Sequence, residues 1–170
     1  MANIVRGYIM SMLESIVVRP KMMAAVEHVR ATVDPASTRE LLHADALEGL
    51  ATGNTNKAAA AWEAILAEYP HDLLALKMHH HSTFWTGRSY VIRNTVAGVF
   101  DAWDASIPGY SFVLGMMCFG LEECGDYVSM RGSHCSIAIR RNGRTATRSR
   151  ATTGGILRCS GSRKAITISS

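Results

Sequence analysis

A chain of 170 residues is sized for one ordinary domain with a modest core, not for two independent cores. With 48% hydrophobic residues it is not a disordered chain, and its formal charge of +4 is unevenly placed: residues 1–127 carry nine Lys and Arg against all fourteen Asp and Glu, whereas residues 128–170 carry nine cations and no acid. The basic balance belongs to the tail alone, and a bilayer-spanning reading drops out because the nearest candidate, the uncharged run from Ala105 to Leu121, is interrupted by Pro108 and Gly109.

From Ala2 to Val18 the residues Ile4, Val5, Tyr8, Ile9, Met12, Leu13, Ile16 and Val17 recur at helical spacing, which predicts a first amphipathic helix. Pro20 follows, and Met22, Val26, Val29 and Val33 form a second stripe that Asp34-Pro35 stops. Ser37 and Glu40 have capping-box spacing for a third helix, whose apolar face is Leu41, Ala44, Leu47, Leu50 and Ala51 up to Gly53. A fourth is expected from Thr55 through Ala58, Ala61, Trp62, Ile65 and Leu66 to Tyr69-Pro70. Asp72 then caps Leu73 to Trp85, Tyr90 to Trp103 makes another helix, and Tyr110 to Cys124 a further one ending at Gly125-Asp126. No strand-like alternation interrupts this succession, so the expected fold class is all-α, built of antiparallel helical hairpins over residues 1–127. Residues 128–170 are expected to be a low-order basic tail, because a Ser, Thr, Arg and Gly mixture buries too little apolar surface to offset chain ordering.

The punctuation is periodic. Gly53, Gly87 and Gly125 stand 34 and 38 residues apart, and Pro70 and Pro108 stand 38 apart, as in a helical-hairpin repeat of 34 residues with four extra residues near Ala105 to Gly109. The first copy fits the tetratricopeptide pattern: Ala46 and Ala58 are small residues for helix approach, Gly53 the turn, Trp62 the large knob and Pro70 the terminator. Longer strings are Arg6-Gly7-Tyr8, His43-Ala44-Asp45-Ala46-Leu47-Glu48, Ala75-Leu76-Lys77, the run from Val91 to Pro108, Tyr110, Val113-Leu114-Gly115-Met116 and Phe119-Gly120-Leu121-Glu122-Glu123. Together they resemble the tetratricopeptide-repeat protein 38 family over residues 4–127. The resemblance implies an α-solenoid segment and a longer protein, with no molecular activity attached. After Tyr127 the likeness stops, which is expected either of a basic arm or of an out-of-frame segment.

Four cysteines without a C-x-x-C pair predict reduced packing residues and a cytoplasmic setting. Of seven histidines, His79-His80-His81 invites a metal reading, but neighbouring helical side chains diverge by about 100°, so no metal or other cofactor is expected. Glu122 and Glu123 with Asp126 read as a solvated helix end. No phosphate loop, zincin or esterase-elbow motif occurs. The leading functional expectation is a scaffold binding a protein or peptide partner. The alternatives are an enzyme with His43, His79 or His80 and Glu122 meeting in the solenoid groove, and a non-functional fragment of a longer repeat protein. The tail can contact polyanions non-specifically, but without aromatic residues after Tyr127 it predicts no specific nucleic-acid recognition. Apolar faces open at both ends of the repeat array predict self-association.

Overall fold

A computed structural model describes residues 1–13, 15–32, 37–127 and 129. Among them the chain is all-α, with seven α-helices and no strand: α1 Ala2–Ser11, α2 Arg19–Thr32, α3 Thr38–Thr52, α4 Thr55–Glu68, α5 Leu73–Trp85, α6 Ser89–Phe100 and α7 Tyr110–Glu123. Consecutive helices pack as neighbours along the chain. Short connections turn each back along its predecessor, so the start of α5 lies beside the end of α6, where Trp103 Nε1 donates to the Pro70 carbonyl at 3.0 Å.

The turn chemistry follows the sequence period. Gly53 ends α3 with φ +76°, a left-handed conformation that a side chain would strain, and Gly87 and Gly125 end α5 and α7 with φ +70° and +69°. Asn54 and Asp72 cap the next helices through side chains that accept from Lys57 N at 3.0 Å and Ala75 N at 2.9 Å. Alternate helices also touch. Tyr8 of α1 reaches His43 of α3, His43 reaches Asp72 at the head of α5, and the His80 ring of α5 lies 5.4 Å from that of Phe119 in α7. On the other side α4 contacts α6. Odd-numbered helices thus line one side of the array. Between the layers sit Ile4, Ala44, Leu47, Trp62, Ile65, Leu76, Val96 and Val113, all sealed from solvent.

Small residues set the closest approaches. A Cβ on Gly49 would stand 2.7 Å from the Ala58 backbone nitrogen, and one on Gly120 would stand 2.9 Å from the Arg93 Cα. The α3–α4 and α6–α7 pairs therefore pack backbone against backbone at these points.

Four sequence expectations need correction. The first helix stops at Ser11 rather than Val18, because Met12 and Leu13 turn and Ser15 accepts from Val17 N to cap a short 3-10 segment, Ile16–Val18. Pro20 then sits in the first turn of α2, where its missing N–H costs no helical bond. Ile16 and Val17 are consequently 71% and 75% exposed. The Ser37–Glu40 capping box does not form, since the Ser37 side chain makes no cap bond and the Glu40 carboxylate accepts instead from the Met1 amino group at 3.0 Å. Helix α6 ends at Phe100, leaving Trp103 in the connection to α7. Cys124 is a free thiol but Cys118 is disulfide-bonded, so the cysteines are not uniformly reduced packing residues. The expectations for the tail over 128–170, its low order and its polyanion contact, lie outside the described residues apart from Ser129.

The glycines give a paired test in urea denaturation. Gly49→Ala should destabilise by roughly 1–3 kcal/mol, because its Cβ meets backbone that has no room to move. Gly98→Ala, in α6 with nothing within 4 Å, should stabilise by about 0.4–1 kcal/mol by restricting the unfolded chain.

Candidate functional site

Two polar features stand out against the apolar core, one closed and one open. The closed one begins at Asp72, whose carboxylate is the N-cap of α5 and is nearly sealed from solvent. Its Oδ1 accepts from Ala75 N, and its Oδ2 accepts from Arg39 Nε at 2.6 Å and from His43 Nε2 at 3.0 Å. With the His43 proton thereby assigned to Nε2, Nδ1 is an acceptor. The Tyr8 hydroxyl lies 3.0 Å from Nδ1 and 3.1 Å from the His43 carbonyl, and shares its proton between them. Trp62 Nε1 then donates to the Tyr8 oxygen at 3.0 Å. Four helices and a cap are joined in one hydrogen-bonded chain.

Burial by itself would raise the Asp72 pKa, but the bonds from His43, Arg39 and the Ala75 amide outweigh it and hold the carboxyl below the usual range. The Tyr8 phenol is pushed up, chiefly by burial. A phenol, imidazole and carboxylate in line resemble a proton relay, yet Tyr8, His43 and Asp72 are all buried and line neither of the two clefts described below. Chemically the chain can hold helices in register and fix a tautomer.

The histidine triplet diverges as helical geometry requires. His79 turns into the core, where Nε2 donates to Glu63 Oε1 at 3.2 Å and the ring meets Trp62 edge-on. His80 faces Phe119, and His81 packs edge-on against Trp85. Among the described residues no group of three or more His, Cys, Asp and Glu could hold a metal ion.

The open feature is a cleft of about 340 Å³ between α5 and α7, lined by Lys77, His80, His81, Phe84, Ser111, Phe112, Gly115, Met116 and Phe119. Its walls are mostly aromatic, its one full charge is Lys77, and the Lys77 ammonium rests 5.5 Å from the centre of the Phe112 ring. His80 is 7% exposed, and among the described residues its Nε2 has no partner in hydrogen-bonding geometry. The Met116 backbone lies near enough to favour the protonated ring, but burial and then the Lys77 charge dominate and push the pKa down to about 4. A second cleft of about 380 Å³ opens where the ends of α1, α3 and α5 meet the start of α2, lined in part by Ile16, Met22, Met78 and Trp85.

The four candidate site residues are therefore not brought together. His43 belongs to the Asp72 chain, His79 to Glu63, His80 to the α5–α7 cleft, and Glu122 stands exposed near the end of α7. Sequence reading missed Tyr8, Arg39 and Asp72 as a unit, since partners 29 to 35 positions apart leave no periodic signal. It also missed Lys77, Phe84, Phe112 and Phe119 as one lining. The available signal was spacing: Lys77, His80 and Phe84 fall on one face of α5, and Phe112, Met116 and Phe119 on one face of α7.

No protein-family model matches the chain, and no solved structure matches it. No helix of the described residues is long and apolar enough to cross a membrane.

Acid should unfold the protein in two stages. His79 and His80 titrate below their ordinary values when folded, so their contribution is intact above about pH 6.5 and declines as pH falls towards the folded value, near 4 for His80. The Asp72 pKa is depressed, so its contribution is intact above about pH 4 and is lost below that. Urea midpoints measured from pH 7 to 3 should show both stages, and His80→Phe should flatten the first. At pH 7, Asp72→Asn should cost roughly 1.5–3 kcal/mol, because it removes the charge from an acceptor that takes hydrogen bonds from His43, Arg39 and the Ala75 amide. Arg39→Ala should cost about 1 kcal/mol or less, because that side chain is largely in solvent.

Proposed function

We propose that this chain is a helical-hairpin scaffold of tetratricopeptide type that binds a peptide or protein partner along the side formed by α3, α5 and α7. The observation that carries the reading is the open aromatic cleft between the alternate helices α5 and α7, on the side where odd-numbered helices lie next to one another. A groove between like members of successive hairpins is what stacked repeats generate without any catalytic group. Supporting it are the left-handed glycines at intervals of 34 and 38, each closing an odd helix, and the alanine pair and Trp62 at the interhelical contacts. The likeness to the tetratricopeptide-repeat protein 38 family is kept as part of this proposal and rests on the strings quoted above. A catalytic reading has less support, because His43, His79, His80 and Glu122 each keep separate company.

Selection of random peptides on the full chain, followed by amide-shift mapping of the selected binders, tests the proposal. Binders should perturb α3, α5 and α7 and leave the exposed face of α4 and α6 unchanged. Binders confined to α4 and α6, or a library that yields none, would overturn it.

A further inference from the structure

The α5–α7 cleft has a chemistry that narrows what the scaffold binds. Its lining holds three phenylalanine rings and Met116, a surface for one large apolar side chain and of the size that small-molecule sites span. The single full charge is positive, and no carboxylate lines the cleft. Lys77 makes no ion pair among the described residues and instead rests over the Phe112 ring, a weak contact at an exposed site. An independent observation points inward: the His80 ring forms part of the wall, with the Met116 backbone beside it, and among the described residues its buried Nε2 has no partner in hydrogen-bonding geometry, a cost that a native core normally avoids. Nε2 is covered from solvent, and the Phe119 ring lies 5.4 Å from the His80 ring, centre to centre.

We infer that the α5–α7 cleft takes an aromatic side chain presented by an acidic peptide segment, the ring seating among Phe84, Phe112, Met116 and Phe119 while a flanking carboxylate meets Lys77. The inference rests on the scaffold reading and gives its ligand. Phe84 and Phe112 are themselves partly exposed and close over an entering ring from opposite helices. The carboxylate draws Lys77 off the Phe112 face, which frees that face for the ligand ring. The same carboxylate, or a polar group on the ring, supplies the partner that Nε2 lacks. Basic peptides are disfavoured by Lys77. The cleft is too small for a folded partner to enter more deeply than one side chain.

Gly115 provides a clean block. It lines the cleft on an open stretch of α7, where an added Cβ meets nothing within 4 Å, so Gly115→Leu fills the site without disturbing the helix packing. Methionine methyl resonances of the full chain give a site-resolved readout, since Met116 lines this cleft whereas Met22 and Met78 line the second one. The probes are capped pentapeptides of sequence Gly-Asp-Phe-Asp-Gly, its alanine analogue and its lysine-flanked analogue, together with 3-phenylpropionate as a free aryl acid.

The acidic phenylalanine peptide should move Met116 and leave Met22 and Met78 in place, and should bind at least about tenfold more tightly than the alanine analogue. Lys77→Gln should weaken it about two- to fivefold, and Gly115→Leu should abolish the Met116 shift while melting no lower than the parent. Equal binding of the lysine-flanked peptide, or an acidic peptide that moves Met78 and Met22 instead, would overturn the inference and leave the scaffold reading standing. Saturation of Met116 by 3-phenylpropionate as tightly as by the peptide would overturn the peptide as ligand in favour of a small aryl acid. No shift at any methionine with any probe would overturn the inference, and the scaffold reading would then be judged on its own peptide selection.

Discussion

The Asp72 carboxylate is the constraint from which the register of α1, α3, α4 and α5 follows. It ends one connection and starts α5, and it draws Arg39, His43 and, through His43, Tyr8 and Trp62 to fixed distances. Apolar contacts between helices tolerate sliding by part of a turn, because Leu, Ile and Ala surfaces fit one another in several registers. A hydrogen-bonded chain tolerates no such slip: moving α1 along α3 by one residue would strand the buried Tyr8 phenol, the His43 Nδ1 and the Trp62 indole N–H together. The network therefore selects one register out of several that burial alone would accept. The weak desolvation of Arg39 is part of this arrangement, since its exposed guanidinium keeps the buried carboxylate charged without itself leaving water.

The fold was legible wherever local chemistry decides it. Helical spacing, Gly and Pro punctuation and the Asp72 cap located five of the helices almost to the residue, because each signal acts within a turn or two of its own position. It failed where two local signals competed. The stripe from Ile4 to Val17 has helical spacing throughout, but Ser15 and Pro20 together favour a new start, and Met12, Leu13, Ile16 and Val17 stay exposed while Val18 packs against the core. Ser37 and Glu40 had the right spacing for a box, and a stronger electrostatic partner took the glutamate.

The site was far less legible. Periodicity separates inward from outward positions but treats His43, Tyr8 and Asp72 as interchangeable members of a stripe or a cap. Which inward polar residue meets which other one depends on the stacking of hairpins, and no residue carries that information alone. Lys77 and Phe112 illustrate it: each reads as an ordinary surface or apolar residue, and only the juxtaposition of α5 with α7 makes them opposite walls of one cleft. The triplet of histidines, the most conspicuous string in the chain, distributes its members among three unrelated surroundings, so conspicuous composition was the poorest guide.

The difference between the two kinds of contact among the odd helices has a mechanical consequence. From α1 through α3 to α5 the layer is tied by short, directional bonds that resist both sliding and opening. From α5 to α7 the tie is made of ring contacts between His80, Phe84 and Phe119, whose attraction changes little over a fraction of an ångström. Along the odd-helix layer the ties as far as α5 are thus directional, and the last is not, while α7 is held separately against the α6 backbone at Gly120. The aromatic cleft lies across that last tie, so the width of its mouth is set by the fit of rings and not by bonds of fixed length and direction.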